Sequence, residues 1–389
     1  MIPQTAALPA PDPAAAAHSR RLTALIRAEL DAAGSLPFER FMELALYAPG
    51  LGYYRCGTAK FGPGGDFVTA PELSPLFSRC LARQCAEILE RTGGDILELG
   101  AGSGVMAADM LAGLDALHCL PQRYAILELS AELRHRQQQT INRRVPQLAQ
   151  RVRWLDRLPE GFRGVMVGNE VADALPVQRF RLTAAGPRPL HVAWDNGFVW
   201  HEGPADGTLT AAVEAIQDDL KLPLPPGYES EISLRLPAWL SALAASLTVG
   251  VLLLIDYGYP RREYYHPQRA AGTLLCHYRH RVHADPFVLV GLQDITASID
   301  FTALADAADA AGLRLAGYAS QSWFLLGCGL PELLAGADPG SARYMDLARQ
   351  AKLLTLPGEM GGRFKAMALS RGVDGPLRGF AAFDESGRL

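Results

Sequence analysis

A glycine-rich turn directly after an apolar stretch is the feature that most constrains the fold of this chain. The segment "DILELGAGSG" covers residues 95–104, and its first half is typical of a buried β-strand. Glycines at alternate positions after a strand let the backbone turn tightly and approach a ligand closely. The segment therefore predicts the first strand, turn and helix of an α/β fold that binds a cofactor.

Strand and helix patterns alternate after this turn. Helical patterns cover 105–115, 130–141 and 300–313. An earlier helix is predicted over 75–92. Strands that alternate with helices favour a parallel sheet covered on both faces. The further strands are predicted at "YAILEL", "VRWL", "GVMVGN", "GVLLLIDYG", "RLAGYAS" and "FKAMALS".

The chain is interpreted as one enlarged α/β domain with insertions. Its first residues are rich in Ala and Pro, a composition that predicts an unstructured lead-in. Two later stretches interrupt the alternation and are assigned to a substrate or partner region. The predicted segments are a disordered lead-in (1–18), an N-terminal helical and lid segment (19–93), the cofactor-binding domain (94–184 and 246–371), the two insertions (185–245 and 259–299) and a C-terminal tail (372–389).

Composition and charge argue against several classes of protein. The formal net charge is −4, whereas proteins that bind nucleic acid along its backbone usually carry a basic surplus. Six cysteines without CxxC spacing argue against a disulfide framework or a zinc finger. The N-terminal residues resemble neither a secretory signal nor a transit peptide, and no stretch reaches the roughly 18 apolar residues of a membrane span. We expect a cytoplasmic protein, and the sequence leaves its oligomeric state open.

The segment "CHYRHRVH" contains Cys276, His277, His280 and His283, a spacing that invites a metal-site hypothesis. Histidines three residues apart drift around a helix, and in a strand their side chains do not all share one face. The sequence therefore predicts no metal site.

An acidic residue just before the glycine turn indicates the kind of cofactor. Glu98 stands two residues before Gly100, and position 105 is Val where a dinucleotide-binding G-x-G-x-x-G motif requires Gly. A carboxylate would repel a pyrophosphate but suits a cationic ligand. The E-x-G-x-G-x-G pattern favours S-adenosylmethionine, which carries a sulfonium and an ammonium group. The alternative is a purely structural turn.

Two further acidic residues follow the next strands. Glu128 ends the second strand, where a carboxylate can accept both hydroxyls of a ribose. Asp156 follows the third strand and could accept a hydrogen bond from the adenine amino group. For both residues, an acid that is simply solvated at a strand end remains the alternative.

Polar residues also follow the fourth strand. Asn169, Glu170 and Asp173 come directly after the apolar run 164–167. A buried carboxylate costs several kcal/mol unless it is paired or hydrogen-bonded. Either these groups reach solvent, or a cation or hydrogen-bond donor meets them. In a purely structural interpretation, Asp173 caps a helix and Glu170 belongs to an ion pair.

Ordered segments from about residue 20 to 371 resemble the MidA-like family of S-adenosylmethionine-dependent methyltransferases, relatives of the mitochondrial complex I assembly protein-arginine methyltransferase. The resemblance implies a class I (Rossmann-like) methyltransferase fold. This is a seven-stranded, mostly parallel sheet with helices on both faces, plus an N-terminal helical segment and insertions. The segments are "GPGGDFVTAPELSPLF", "LELGAGSG", "GNEVADALPVQRF", "LLIDYGY", "YYHPQRAAGTLLCHYRHR", "GLQDITASIDFTAL" and "TLPGEMGGRFKAMALSRG".

The resemblance also implies protein-arginine methylation of a protein partner, such as a subunit of respiratory complex I. A guanidinium is a planar cation that matches carboxylates bidentately. Our hypothesis is that Glu170 and Asp173 hold the substrate arginine, and that Asn169 orients the arginine or the cofactor. Alternatives are a methyltransferase with a small-molecule substrate and a non-catalytic assembly or interaction protein that retains the fold.

The cofactor-binding residues expected from the motif and the resemblance surround the glycine turn, the next strand ends and a lid-like loop. They are Glu98, Gly100, Ala101, Gly102, Gly104, Glu128, Leu129, Asp156, Asp66 and Thr69.

Overall fold

The computed structural model describes residues 8–56, 66 and 68–389. The chain divides into two compact units, each built from three separate segments. Unit 1 comprises Met1–Phe67, Asp173–Leu236 and Tyr259–Asp300. Unit 2 comprises Val68–Ala172, Pro237–Gly258 and Phe301–Leu389.

The helices of the described residues are, in chain order, α1 (Pro13–Ala33), α2 (Phe38–Tyr47), α3 (Ala70–Leu73), α4 (Pro75–Thr92), α5 (Val105–Ala116), α6 (Ala131–Arg144), α7 (Gly207–Leu220), α8 (Leu236–Ser246), α9 (Arg261–Tyr264), α10 (Phe301–Ala310), α11 (Gln321–Gly327), α12 (Leu330–Ala335), α13 (Ala342–Thr355) and α14 (Met360–Arg363).

The strands of the same residues are β1 (Leu36–Pro37), β2 (Asp95–Leu99), β3 (Tyr124–Leu127), β4 (Val152–Leu155), β5 (Phe162–Asn169), β6 (Gln178–Thr183), β7 (Gly186–Trp194), β8 (Phe198–Glu202), β9 (Glu229–Ile232), β10 (Leu247–Tyr259), β11 (Leu275–Tyr278), β12 (Arg281–His283), β13 (Asp294–Thr296), β14 (Ile299–Asp300), β15 (Arg314–Ser320) and β16 (Phe364–Arg371).

The sheet of unit 2 is mostly parallel, as the sequence predicts. Among the described residues, its strands follow the order β15-β16-β10-β5-β2-β3-β4. The neighbours from β10 to β4 pair in parallel, whereas β16 is antiparallel to both β10 and β15. The chain order reverses at β2, because β3 and β4 extend the sheet on one side and β5 and β10 on the other. Such a reversal opens a crevice beyond the carboxyl ends of the strands, where α/β proteins bind ligands.

Apolar side chains of the strands and helices form the core of unit 2. Val165 and Val251 on the sheet belong to one buried cluster with Leu81 of α4 and Met110 of α5. Full burial of such a side chain contributes roughly 1.5–3 kcal/mol. Helix α4 begins where Ser74 Oγ accepts from Leu76 N and ends at Gly93 in the left-handed conformation. This core fixes the strands whose ends carry the candidate site.

Unit 1 contains smaller sheets and the N-terminal helices. One sheet has the order β1-β7-β6-β9, with β8 paired to β7, and a second has the order β12-β11-β13. Phe41 and Met42 of α2 are buried in one cluster with Ile26 of α1 and Ile295 of β13. Both predicted insertions thus lie largely in the same unit as α1 and α2.

The structure differs from the predicted segments at both ends of the chain. Helix α1 begins at Pro13, and Asp12 Oδ1 accepts from Ala15 N at 2.9 Å as its N-cap. The predicted lead-in is therefore wrong for residues 13–18, where an Asp–Pro helix start outweighs an Ala- and Pro-rich composition. Residues 1–7 lie outside the described residues. The predicted tail packs into unit 2, since Phe380 is buried and Tyr318 N donates to Asp384 at 3.1 Å.

Two boundaries inside the chain also differ. Helix α4 belongs to unit 2, although the predicted N-terminal segment extends to residue 93. The region 321–363 contains α11 to α14, which the sequence analysis does not predict. In the described part of the chain, no helix combines the length and the apolar character that a membrane crossing needs.

One arginine closes the carboxyl ends of two helices in unit 2. The Arg371 guanidinium donates to Ala244 O at 2.5 Å and to Leu247 O at 2.8 Å, at the end of α8. It also donates to Ala311 O at 2.7 Å, just after α10. We expect Arg371→Met to destabilise the protein by about 2 kcal/mol, because these carbonyls lose a charged donor.

The measurement is the midpoint of thermal or urea unfolding, with Arg157→Met at an exposed position as the control. Equal midpoints for the two variants would contradict the capping role of Arg371.

Candidate functional site

The candidate site of unit 2 lies at the carboxyl edge of the sheet, on both sides of the chain reversal. The glycine turn follows β2, and Asn169 ends β5. Leu99 pairs with Gly168 in the parallel register of these strands. The turn and the polar residues after β5 therefore leave the sheet at the same edge, as the sequence predicts.

The glycine turn needs backbone conformations that other residues rarely adopt. Gly100, Gly102 and Gly104 have φ values of 63°, 52° and 83°. A Cβ at position 104 would lie 2.9 Å from Gln137 Cα, so a side chain there meets both strain and a steric clash. Ala101 is buried within the turn. Since α5 begins at Val105, the turn leads into a helix N-terminus with its backbone donors.

Glu98 presents an unsatisfied carboxylate oxygen beside this turn. The side chain is 1 % exposed, and its Oε2 accepts from Tyr124 OH at 2.6 Å. Within the described residues, its Oε1 is buried without a hydrogen-bond partner. Burial raises the pKa of Glu98 to about 7; the Tyr124 hydrogen bond opposes this shift, and the charge of Glu128 adds to it. An orphaned buried carboxylate fits a ligand that carries positive charge.

Glu128 stands at the end of β3, where the sequence places a ribose acceptor. Its Oε1 accepts from Ser130 N at 2.9 Å, and its Oε2 accepts from Gln137 Nε2 at 3.0 Å. Each carboxylate oxygen has a further lone pair, so both can also accept a hydroxyl. Burial raises the pKa of Glu128. The next residue, Leu129, is 61 % exposed and offers an apolar surface beside the carboxylate.

Asp156 forms an ion pair that the sequence analysis missed. Arg134 Nη2 lies 2.5 Å from Asp156 Oδ1, and the Asp156 side chain is 84 % exposed. Arg134 also donates to Glu128 O at 2.6 Å and to Leu155 O at 2.8 Å. Arg134 therefore joins the ends of β3 and β4. The contact of Asp156 with an adenine stays a prediction.

The segment after β5 is held in a strained conformation. Glu170 has a φ of 54°, which is uncommon for a residue with a side chain. Its backbone N donates to Ile255 O at 2.8 Å, and its Oε1 accepts from Asn169 Nδ2 at 3.0 Å. The buried Asp256 accepts from Ala172 N at 2.9 Å. These contacts fix the direction of Asn169 and Glu170.

Asp173 belongs to unit 1, in a buried group of acids and tyrosines. Its side chain is buried, as is that of Asp294. Tyr54 OH lies 2.9 and 2.8 Å from the two carboxylate oxygens of Asp294. Burial raises the pKa of Asp294 to about 8, and the charge of Asp173 adds to this shift. Sequence reasoning missed Asp294 and Tyr54, since they are 240 residues apart.

The two lid candidates fall in different units. Asp66 belongs to unit 1, where it accepts from Tyr53 OH at 2.9 Å and from Arg279 N at 2.8 Å. Thr69 belongs to unit 2 and precedes α3. Residues 57–65 and 67 of the predicted loop lie outside the described residues. In unit 2, the Ser103 hydroxyl of the glycine turn donates to Glu72 of α3.

The histidine-rich segment forms a hairpin. Cys276 on β11 pairs with His283 on β12. Burial, with a smaller contribution from the charge of His283, lowers the pKa of His277 to about 4. Across residues 8–56, 66 and 68–389, no group of three or more His, Cys, Asp or Glu residues is placed to hold a metal ion.

Solved structures share the whole architecture of this chain. A Burkholderia thailandensis protein crystallised with S-adenosyl-homocysteine is 47 % identical, has a TM-score of 0.94, and the match covers 98 % of this chain and 100 % of that one. A native crystal structure of an uncharacterized protein from the same organism is 46 % identical, has a TM-score of 0.91 and gives the same coverage. These neighbours support the methyltransferase fold and its cofactor.

Curated relatives carry the name of an arginine methyltransferase. The mitochondrial protein arginine methyltransferase NDUFAF7 homolog of Drosophila melanogaster is 27 % identical over 90 % of this chain and 84 % of its own length. The human mitochondrial protein arginine methyltransferase NDUFAF7 is 25 % identical over 88 % of this chain and 81 % of its own length. The prediction of a cytoplasmic protein is wrong, because these relatives are named as mitochondrial proteins.

The raised pKa of Glu98, together with its predicted contact to the cofactor, predicts that cofactor binding depends on pH. A cationic ligand favours the ionised carboxylate, so binding releases a proton from Glu98 and the affinity rises as the pH rises through about 7. We expect S-adenosylhomocysteine, which keeps the ammonium group, to bind roughly tenfold more tightly at pH 8 than at pH 6. Calorimetry on the wild type and on Glu98→Gln measures this, and a pH dependence that survives in Glu98→Gln would refute it.

A family model matches the part of the chain that contains the glycine turn and most of the sheet of unit 2. The family described as "Putative S-adenosyl-L-methionine-dependent methyltransferase" matches residues 80–319, which is more than half of the chain. This range includes the glycine turn, Glu128 and the segment after β5. S-adenosylmethionine is therefore the cofactor, and the chain belongs to this family of S-adenosylmethionine-dependent methyltransferases.

Proposed function

We propose that the protein is an arginine N-methyltransferase that acts on a protein partner. The observation that carries this proposal is the pair of buried carboxylates Asp173 and Asp294 in unit 1. Ala297, three residues after Asp294, donates its backbone N–H to Asp173 O at 3.0 Å, and the charge of Asp173 contributes to the raised pKa of Asp294. A guanidinium is always protonated and donates to carboxylates in a planar fork. The names of the curated relatives support the same substrate class. A subunit of respiratory complex I, implied by the resemblance, is the first protein to test.

In this proposal, the carboxylates of Glu170 and Asp173 hold the substrate guanidinium, and the carboxylate of Asp294 lies beside that of Asp173 and also faces the positive charge. They keep its positive charge on the nitrogens that do not react, and Asn169 orients the side chain. S-adenosylmethionine, when bound, supplies the methyl group. Complete deprotonation of a guanidinium before attack is costly, since its pKa exceeds 12. We therefore assign most of the rate enhancement to positioning and preorganised charge at these residues, with proton loss during or after transfer.

The cofactor contacts are proposed from the geometry of unit 2. Glu98 faces positive charge, the turn from Gly100 to Gly104 approaches the cofactor, and Glu128 accepts the ribose hydroxyls. Leu129 and Asp156 contact the adenine, and Asp156 accepts a hydrogen bond from its amino group. Ala101 and Thr69 complete the set proposed in unit 2. Asp66 belongs to unit 1, and its cofactor contact is proposed from the resemblance alone. We propose that the seven strands in the order from β15 to β4 form the sheet of the class I fold.

Substitutions of Asp173 and Glu170 test directly whether these carboxylates bind the proposed substrate. We expect Asp173→Asn and Glu170→Gln each to lower the transfer of labelled methyl groups to an acceptor protein at least about 100-fold, because each variant loses a charged hydrogen-bond partner of the guanidinium. Asp173 is buried and Glu170 is half-buried. Binding of S-adenosylhomocysteine should change less than about threefold. Asp195→Asn in unit 1 is the control, since Asp195 is exposed.

The methylated residue is identified by mass spectrometry of the acceptor. Methylation at a residue other than arginine would contradict the proposal, and methylation of only small molecules would favour the small-molecule alternative. Wild-type protein that binds the cofactor without any transfer would favour the non-catalytic assembly role.

The raised pKa of Asp294 predicts how substrate binding depends on pH. A guanidinium beside Asp294 favours its ionised form, so binding releases a proton and the affinity rises as the pH rises through about 8. An arginine-containing acceptor peptide should bind roughly tenfold more tightly at pH 9 than at pH 7. Fluorescence anisotropy measures this, and Asp294→Asn should bind weakly at both pH values. Equal affinity of the wild type at both would exclude Asp294 from the arginine site.

A further inference from the structure

Gln137 connects the two halves of the cofactor site in unit 2. It is fully buried on α6, with an exposed fraction of 0 %. Its Nε2 donates to Gly102 O at 3.1 Å and to Glu128 Oε2 at 3.0 Å. Its Oε1 accepts from Trp154 Nε1 at 2.8 Å. One amide group therefore contacts the glycine turn, the acid after β3 and a tryptophan of β4.

The orientation of this amide is fixed by its partners. The indole N–H of Trp154 can only donate, so the oxygen of Gln137 must face it. The NH₂ group then points at two acceptors, Gly102 O and the Glu128 carboxylate, and uses both of its hydrogens. The backbone of Gln137 also packs closely against the turn, since a Cβ at position 104 would lie 2.9 Å from Gln137 Cα.

We propose that Gln137 is a positioning residue that holds the Glu128 carboxylate at a fixed place relative to the glycine turn, so that Glu128 can accept the ribose hydroxyls of the cofactor. The inference rests on the proposed ribose contact of Glu128. Without the amide, the Glu128 carboxylate loses the donor that restrains its Oε2 and keeps only the contact of its Oε1 with Ser130 N, so its orientation is less well fixed. The amide donor also favours the ionised form of Glu128, against the pKa-raising effect of burial.

A binding experiment separates this role from a purely structural one. Calorimetry compares S-adenosylhomocysteine with its analogue that lacks both ribose hydroxyls. We expect the wild type to bind the analogue about tenfold or more weakly, because hydrogen bonds to a charged group are lost. In Gln137→Met, which keeps the side-chain length, this discrimination should fall below about threefold, and only the affinity for S-adenosylhomocysteine should drop.

One further variant and a control extend the design. Trp154→Phe removes the donor that orients the amide and should reduce the discrimination about threefold. It tests the inference even if Gln137→Met does not fold, which thermal unfolding will show. Gln139→Met on the same helix is the control, since Gln139 is exposed and should leave both affinities unchanged.

The outcomes distinguish a failure of the role of Gln137 from a failure of the proposed ribose contact of Glu128. If Glu128→Gln still discriminates like the wild type, the ribose contact of Glu128 is wrong and the inference fails with it. If Glu128→Gln loses the discrimination while Gln137→Met and Trp154→Phe retain it, only the role of Gln137 is overturned. Equal weakening of both ligands in Gln137→Met would also overturn it, because that is the result expected of a residue that only supports the turn.

Discussion

The parallel pairing of β2 with β3 on one side and β5 on the other is the constraint on which the candidate site depends. Parallel strands place their carboxyl ends at one edge of a sheet, so residues far apart in the chain leave the sheet side by side. The glycine turn, Glu128 and Asn169 owe their common location to this pairing. The site of unit 2 is thus a consequence of strand register rather than of any single motif.

Most of the acidic residues assigned to the cofactor and substrate sites are buried. Glu98 and Glu128 in unit 2, and Asp66, Asp173 and Asp294 in unit 1, are all buried, and burial raises the pKa of four of them, Glu98, Glu128, Asp66 and Asp294. Such groups lower the stability of the folded state unless a donor or a cation meets them. Tyrosine hydroxyls and backbone N–H groups meet part of this need. The cationic cofactor, and the arginine substrate that we propose, match the remainder in charge.

Local sequence patterns were sufficient to predict the main strands and helices. Contacts between residues far apart in the sequence could not be predicted from such patterns. The apolar runs predicted β5 and β10 to within a few residues. The helix predicted over 130–141 is α6, and its N-cap is Ser130. The glycine turn and its neighbouring acids identified the cofactor because their spacing is short and their chemistry is specific. Gln137 could not be predicted as part of the site, since it contacts Gly102 across 35 residues and a glutamine on a helix usually faces solvent.

The position of β16 in the sheet has a consequence for synthesis of the chain. This strand is the last of the sheet to leave the ribosome, yet it lies between β10 and β15. Until it is made, β10 and β15 both lack the neighbour that satisfies their backbone groups, and such open strands are templates for pairing with other chains. Until β16 has been made, a nascent chain of this protein therefore exposes two open strands and is prone to pair with other chains.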